Sequence, residues 1–330
     1  MSSGVRWRTS ARWVPDHRPV RTLRPVRRPT VDVIVPYKGG PEGLSRVRER
    51  LAGLSLRPGD TVLVVDNTPR GEPLVEDGAE VPVLHADGRP TPAFARNAGV
   101  VLGAAEWLVF CDADTELPPD LLDRYFDPAP GPRTGIVGGG VIDEPATAGA
   151  SVVARYSHLR GVMNQEDTFE FGDRWGYPKT ANVACRRAAF EAVGGFREEI
   201  RAAEDADLTY RLRAAGWDVE RREGASVVHA SRTTLRALIV QQALWGAGGA
   251  WVHSVYPGAV PLVGRPGLFR WAATTTLGGL VTAIRRRDRD AAIFAVLRPL
   301  EALAWEVGRL LPNERPVPDS SLWKRMGLYR

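Results

Sequence analysis

The 330-residue chain has few cysteines, with only Cys111 and Cys185 present. Two isolated thiols cannot make a disulfide framework. Both lie in apolar, strand-like surroundings, so buried free thiols in a reducing compartment are expected. The N-terminus lacks the apolar core of a signal peptide. No uninterrupted apolar run of membrane-spanning length is evident. These absences make a cytoplasmic location the expectation. No internal repeat is visible.

Acidic residues are nearly missing from the first thirty positions. Arg6, Arg8, Arg12, Arg18, Arg21, Arg24, Arg27 and Arg28 face only Asp16 there. Pro15, Pro19, Pro25 and Pro29 interrupt any helix. Residues 1–29 therefore read as an extended basic arm. It is either a solvated tail or a contact for anionic lipid or an acidic partner. Over the whole chain the net charge is only +5, and no nucleic-acid partner is expected. The 44% apolar content supports a sizeable core, and the length allows one α/β domain plus an appendage.

Residues 31–35 read as a buried strand ending at Pro36-Tyr37. Residues 43–55 have helical spacing, with Leu44, Val47, Leu51 and Leu54 on one face. A strand over 61–65 ends at Asp66-Asn67, and 81–84 is a shorter strand. A helix over 92–105 precedes the apolar strand that ends at Asp112-Ala113-Asp114. This alternation predicts an α/β fold with a mostly parallel, doubly wound sheet. Further on, the glycine-rich strand 135–142 implies a close backbone approach. Residues 151–164 read as helix, 167–178 as loop, 180–185 as strand and 186–193 as helix. A helix over 204–215 with Gly216 beyond it and a strand over 226–229 follow. The tail from 233 looks helical. Its stretch 268–284 is apolar apart from Arg270 and runs into Arg285-Arg286-Arg287. Two readings stay open for it: a helix pair lying on a membrane surface, or ordinary packing on the domain.

In a parallel sheet the tips at Pro36-Tyr37, Asp66-Asn67 and Asp112-x-Asp114 share the carboxyl edge, where such sheets bind ligands. Two carboxylates one residue apart repel unless a cation lies near, and hard oxygen ligands favour Mg²⁺ or Mn²⁺. Such a cation suits a diphosphate. Tyr37 is then placed for a base, Asp66 for a base N–H, Asp112 for the ribose or the metal, and Asp114 for the metal. Arg96, early on its helix, can orient Asp112 through a forked hydrogen bond. The competing reading makes Asp112-x-Asp114 the cap of a helix start.

Val31-Asp32-Val33-Ile34-Val35-Pro36-Tyr37, Val64-Val65-Asp66-Asn67, Ala95-Arg96-Asn97-Ala98-Gly99 and Phe110-Cys111-Asp112-Ala113-Asp114 occur in this order. Together they resemble the nucleotide-binding half of family 2 glycosyltransferases with the GT-A fold. Ala181-Asn182-Val183, Val193-Gly194-Gly195-Phe196 and Glu204-Asp205-Ala206-Asp207 resemble the acceptor-side motifs. The resemblance covers roughly residues 31–232. It implies a catalytic domain over 30–232, with a nucleotide half 30–115 and an acceptor half 116–232, and a helical region over 233–330.

The resemblance also implies roles: transfer of a sugar from a nucleotide diphosphate-sugar with inversion, aided by Mn²⁺ or Mg²⁺. Asp205 would be the base; at a helix N-terminus the dipole would keep it ionised and modestly basic. The alternative is that Glu204 and Asp205 only cap the helix. His229 would reach the metal or the diphosphate. On the acceptor side, Trp175 would stack on a sugar or pack in the core, Lys179 would pair with a phosphate, and Asn182 and Glu204 would line the site. Gln241-Gln242-Ala243-Leu244-Trp245 is similar to the Gln-x-x-Arg-Trp segment of processive members, but Leu244 replaces the arginine. A single transfer to a lipid-linked or natural-product acceptor is therefore expected, with peripheral contact to an anionic membrane. A sugar nucleotidyltransferase is the first rival, but Lys38-Gly39-Gly40 is too short for its phosphate loop. A non-catalytic nucleotide-binding scaffold at the membrane is the second.

Overall fold

The structure is a computed structural model that describes residues 28–69, 74–76, 80–260 and 267–314. Most of the basic arm lies outside them. The chain begins with β1 (Val31–Tyr37), α1 (Pro41–Ala52), β2 (Thr61–Asp66), β3 (Leu74–Glu76), β4 (Val83–His85), α2 (Pro92–Val100) and β5 (Trp107–Cys111). It continues through β6 (Thr115–Glu116), α3 (Leu121–Tyr125), β7 (Thr134–Asp143), α4 (Val152–Arg160), α5 (Glu166–Phe169) and α6 (Gly172–Trp175). Then come β8 (Asn182–Arg186), α7 (Arg187–Ala192), α8 (Glu204–Ala214) and β9 (Asp218–His229). Three long helices close the described chain: α9 (Leu235–Val255), α10 (Leu268–Arg286) and α11 (Arg289–Gly308).

Among the described residues nine strands form one sheet, in the order β3-β4-β2-β1-β5-β8-β7-β9-β6. Strands β1, β2, β4 and β5 are parallel, as the alternation predicts: β1 pairs with β2 and β5, and β2 with β4, while the edge strand β3 runs antiparallel to β4. The rest of the sheet is mixed. There β8 runs antiparallel to both β5 and β7, while β7 and β9 are parallel.

Period-two alternation sorts the side chains into two apolar layers. Val31, Val33 and Val35 of β1 pack on one face with Leu44, Val47 and Leu51 of α1. Ile34 packs on the other face with Phe94, Ala95 and Ala98 of α2. The same alternation puts Cys111 in the first layer and Cys185 in the second, so the free thiols lie on opposite faces of the sheet. Gly99 lets α2 sit close: a Cβ there would lie 2.6 Å from Ile34 Cγ2. The glycine-rich β7 has the same cause, since a Cβ on Gly139 would collide with the Asn182 amide and the Ala225 carbonyl.

Three local expectations change. The segment 167–178 is not a plain loop but contains the short helices α5 and α6. The strand expected over 226–229 begins at Asp218 instead. Its first half is mostly charged with no buried residue, which hides it from an apolar-pattern reading. Arg28, assigned above to the arm, belongs to the folded domain. Its guanidinium is buried and holds Asp60 at 2.5 Å and Asp123 at 2.7 Å. Arg28→Ala leaves Asp60 buried without its cation, so a loss of about 3 kcal/mol in urea-unfolding stability is expected.

Candidate active site

The site is assembled by one short pairing. β5 stops at Cys111, and the Asp112 carbonyl accepts from Thr115 N at 3.2 Å and Thr115 Oγ1 at 2.6 Å. This closes the Asp112–Thr115 turn. The chain then enters β6, which pairs antiparallel with the end of β9, Thr115 opposite His229. Ala230 N also donates to the Asp114 carbonyl at 2.8 Å. Residues far apart in sequence thus meet at the tip of the sheet. The next helix starts only at Leu121, so Asp112 and Asp114 are not helix caps.

His229 Nε2 lies 3.2 Å from Asp114 Oδ1 and 3.8 Å from Asp112 Oδ2. One ligand atom from each of the three residues falls within 4.8 Å of the others. His229 Nδ1 lies 2.9 Å from the Ala230 carbonyl. That partner assigns the Nδ1 proton and turns the Nε2 lone pair toward the carboxylates in the neutral ring. Burial disfavours the charged imidazole, but Asp112 and Asp114 outweigh it and push His229 up to about 10. Burial also opposes ionisation of Asp112, yet His229 and Arg96 hold it down at about 2.

Arg96 joins this cluster to α8. Its side chain is only 2% exposed and donates to Asp112 Oδ1 and Glu204 Oε1, both at 2.8 Å. Asp205, next along α8, has an environment unlike the one expected. Burial first, and the adjacent Glu204 carboxylate second, push it up to about 7. The helix dipole does not prevail here, because desolvation and a like charge both favour the protonated form. The simple-cap alternative also fails for Glu204. The N-cap is Ala203, with no side-chain capping bond, and Glu204 turns to Arg96 instead.

A sequence model of glycosyl transferase family group 2 matches residues 107–305. The chain belongs to that family. Among curated relatives, the pre-mycofactocin glycosyltransferase of Mycobacterium tuberculosis is 29% identical over 266 residues, 77% of this chain and 55% of that protein. The chain thus spans about half the length of that relative. Succinoglycan biosynthesis protein ExoA of Rhizobium meliloti is 26% identical, with 88% of each chain covered. Among solved structures, the mannosyltransferase PcManGT from Pyrobaculum calidifontis, in complex with GDP-Man and Mn²⁺, superposes with a TM-score of 0.60 at 16% identity. That match covers 87% of this chain and 88% of the neighbour, and it establishes the shared GT-A fold.

Within this family 2 chain the other expected residues divide. Pro36 and Tyr37 end β1, with Tyr37 in register with Asp66. The Tyr37 hydroxyl donates to the Gly40 carbonyl at 2.6 Å. Asp66 is completely buried, accepting from Thr68 N at 2.9 Å and lying 3.1 Å from His85 Nδ1. Both of its carboxylate oxygens are thus engaged within the protein, on Thr68 and His85. Asn182 is also withdrawn. Its amide donates to the Gly140 and Ala225 carbonyls and accepts from the Tyr125 hydroxyl, so it staples β8 to its surroundings. Lys179 gives its ammonium to the Val162 and Asn164 carbonyls, at 3.2 and 2.6 Å, rather than to a phosphate position. Burial lowers it to about 8. Trp175 is half-buried in an aromatic wall, edge-on to Tyr210 at 5.1 Å.

Sequence reasoning missed two groups. Arg232 lies 3.1 Å from Asp114 Oδ2 with an exposed side chain, a free-standing arginine with no pattern to mark it. The other is the support beneath α8. Ala203 has φ +69°, a left-handed conformation unfavourable for alanine, one residue before Glu204. The bend is braced from the C-terminal region. Asn313 Nδ2 donates to the Ala202 carbonyl at 2.9 Å, and Asn313 Oδ1 accepts from Ala202 N at 3.2 Å. Gly248 of α9 packs against Ala202 and Ala203, where a Cβ would lie a tight 3.1 Å from both residues. Asn313→Ala strands both buried Ala202 groups. A loss of about 2 kcal/mol in unfolding experiments is expected. Turnover should fall by roughly tenfold, with donor affinity unchanged, as Glu204 and Asp205 lose alignment.

Proposed function

We propose that the chain is a metal-dependent inverting glycosyltransferase, moving a sugar from a nucleotide diphosphate-sugar to an acceptor hydroxyl. The observation that carries this reading is the convergence of Asp112, Asp114 and His229, tied through Arg96 to Glu204 and Asp205. The donor set fits a divalent cation. Two carboxylates supply hard oxygen, and a ring nitrogen with a fixed tautomer favours Mn²⁺ over Mg²⁺. Bound there, such an ion would offset the charge developing on the departing diphosphate. Arg232, at the exposed rim, adds a cation for the same phosphates.

Asp205 is the base. A carboxylate titrating near 7 accepts a hydroxyl proton more readily than an ordinary aspartate does. As the acceptor oxygen bonds to the anomeric carbon, its proton passes to Asp205. The bond from that carbon to the diphosphate oxygen breaks on the opposite face, inverting the centre. Arg96 holds the donor-side Asp112 and the acceptor-side Glu204 in fixed relation. The half-buried aromatic wall at Trp175 supports a single sugar-bearing or lipid-linked acceptor, and Leu244 in place of arginine argues against processive synthesis.

The direct test is a panel of UDP-, GDP- and dTDP-sugars incubated with purified chain and Mn²⁺, Mg²⁺ or EDTA. Slow release of a nucleoside diphosphate from particular donors is expected, abolished by EDTA and restored by Mn²⁺. Pyrophosphate release from a nucleoside triphosphate and a sugar phosphate would favour the nucleotidyltransferase instead. Silence with every donor would leave only a scaffold.

A further inference from the structure

The outermost helix, α10, has a face that no described residue covers. It packs on α11 through its narrow side, where Gly279 abuts Ala295 and Ala272 and Ala283 are buried. Its other side carries Phe269, Ala273, Leu277, Val281 and Ile284, spaced by four, four, four and three residues. That spacing makes one continuous stripe along the 19-residue helix, roughly 28 Å at 1.5 Å per residue. Phe269 and Ile284 are each 75% exposed, Leu277 66% and Val281 49%. Large apolar side chains so open to water along a whole helix are unusual on a protein that works alone.

Charge identifies the occupant. α10 has no acidic residue and ends in Arg285 and Arg286, followed by Arg287. The acids just beyond are engaged: Asp288 caps α11 through Asp290 N and Ala291 N, and Asp290 pairs with Arg155. An apolar stripe flanked by uncompensated arginines matches the interface of an anionic bilayer. A second copy of the chain would bring the same arginines against a stripe with no acid to receive them. Among the described residues no helix is long and apolar enough to cross a membrane, so α10 would lie in the surface.

We propose that the α10 stripe docks on the headgroup–acyl boundary of an anionic membrane, with Phe269, Leu277, Val281 and Ile284 immersed and Arg285–Arg287 on the phosphates. This holds whether or not the sugar-transfer reading is correct. The test is sedimentation of the full chain with vesicles of phosphatidylcholine alone or with about one-third phosphatidylglycerol. The chain should pellet with the anionic vesicles and be released by molar salt. Leu277→Glu with Val281→Glu should weaken partitioning at least a hundredfold. Arg285→Gln, Arg286→Gln and Arg287→Gln together should weaken it by about a hundredfold. Circular dichroism melting, unchanged for these exposed positions, shows that the variants fold. Parental partitioning by the stripe variant would assign vesicle binding to another segment, such as the basic arm, and overturn the proposal. So would failure of the parent to bind, or a parental dimer in sedimentation velocity that the stripe variant dissolves.

Discussion

Asp205→Asn is expected to lower kcat by about 10³-fold while leaving donor affinity within about twofold. General base catalysis contributes roughly 10² to 10⁴ in rate, and asparagine cannot accept the acceptor proton. The parent enzyme's rate should rise with pH and level off above about 7, where Asp205 loses its proton. The sign of the stability effect is opposite to that of an ordinary ion-paired aspartate. A carboxyl held above its usual value of 3.8 is stabilised in the fold as the neutral acid. That contribution is complete below about pH 4 and is lost as pH rises through about 7. The asparagine amide never ionises, so the variant should melt higher than the parent at pH 8, with the gap closing toward pH 4. Lower turnover combined with higher stability at alkaline pH marks a residue kept for chemistry rather than for folding. A variant that turns over at the parental rate would move the base elsewhere.

The first, mainly parallel part of the sheet was legible because its strands are buried on both faces. Val31, Val33, Val35 and Ile34 have apolar neighbours above and below the sheet, so the strand reads as an apolar run, interrupted only by the buried Asp32, that ends in a polar tip. The tips at Tyr37, Asp66 and Asp112 were found for the same reason. Which way each tip points was not legible. Asp66 is fully buried, with His85 of a three-residue strand against one oxygen, whereas Asp112 stays partly exposed and pairs with Arg96. Asn182 and Lys179 failed likewise, since partners such as Tyr125 and the Val162 carbonyl come from separate segments. The Asp112–Asp114–His229 cluster was legible by two routes. Asp112 and Asp114 are neighbours in sequence, whereas His229 was reachable only through the family resemblance, because the β6 pairing that brings it in is two residues long and leaves no pattern. Arg28 and Asn313 were hidden differently. One sits at the end of a basic arm and the other past the last helix, and neither context announces burial.

Asp114→Asn should weaken Mn²⁺ binding by at least about 100-fold. Losing an outer hydrogen-bond partner of a metal ligand costs about 10- to 100-fold, and losing a charged ligand should cost no less. Asp114 is the informative member of the cluster. Asp112 also anchors Arg96, and His229 is buried, so changing either disturbs packing as well as coordination. Asp114 is about one-third exposed and meets His229 on one oxygen and the exposed Arg232 on the other. The variant should therefore melt close to the parent while its Mn²⁺ titration, followed by electron paramagnetic resonance, shifts. Donor affinity in Mn²⁺ should fall with it, and affinity measured in EDTA should not. Arg232→Gln is the matched control: it removes the other charge on the same carboxylate but no ligand atom, so Mn²⁺ should bind at least as well as to the parent. If Asp114→Asn and Arg232→Gln leave metal binding equally untouched, the Asp112–Asp114–His229 cluster is an ion-pair network holding β6 to β9, and the diphosphate must be met by arginine alone.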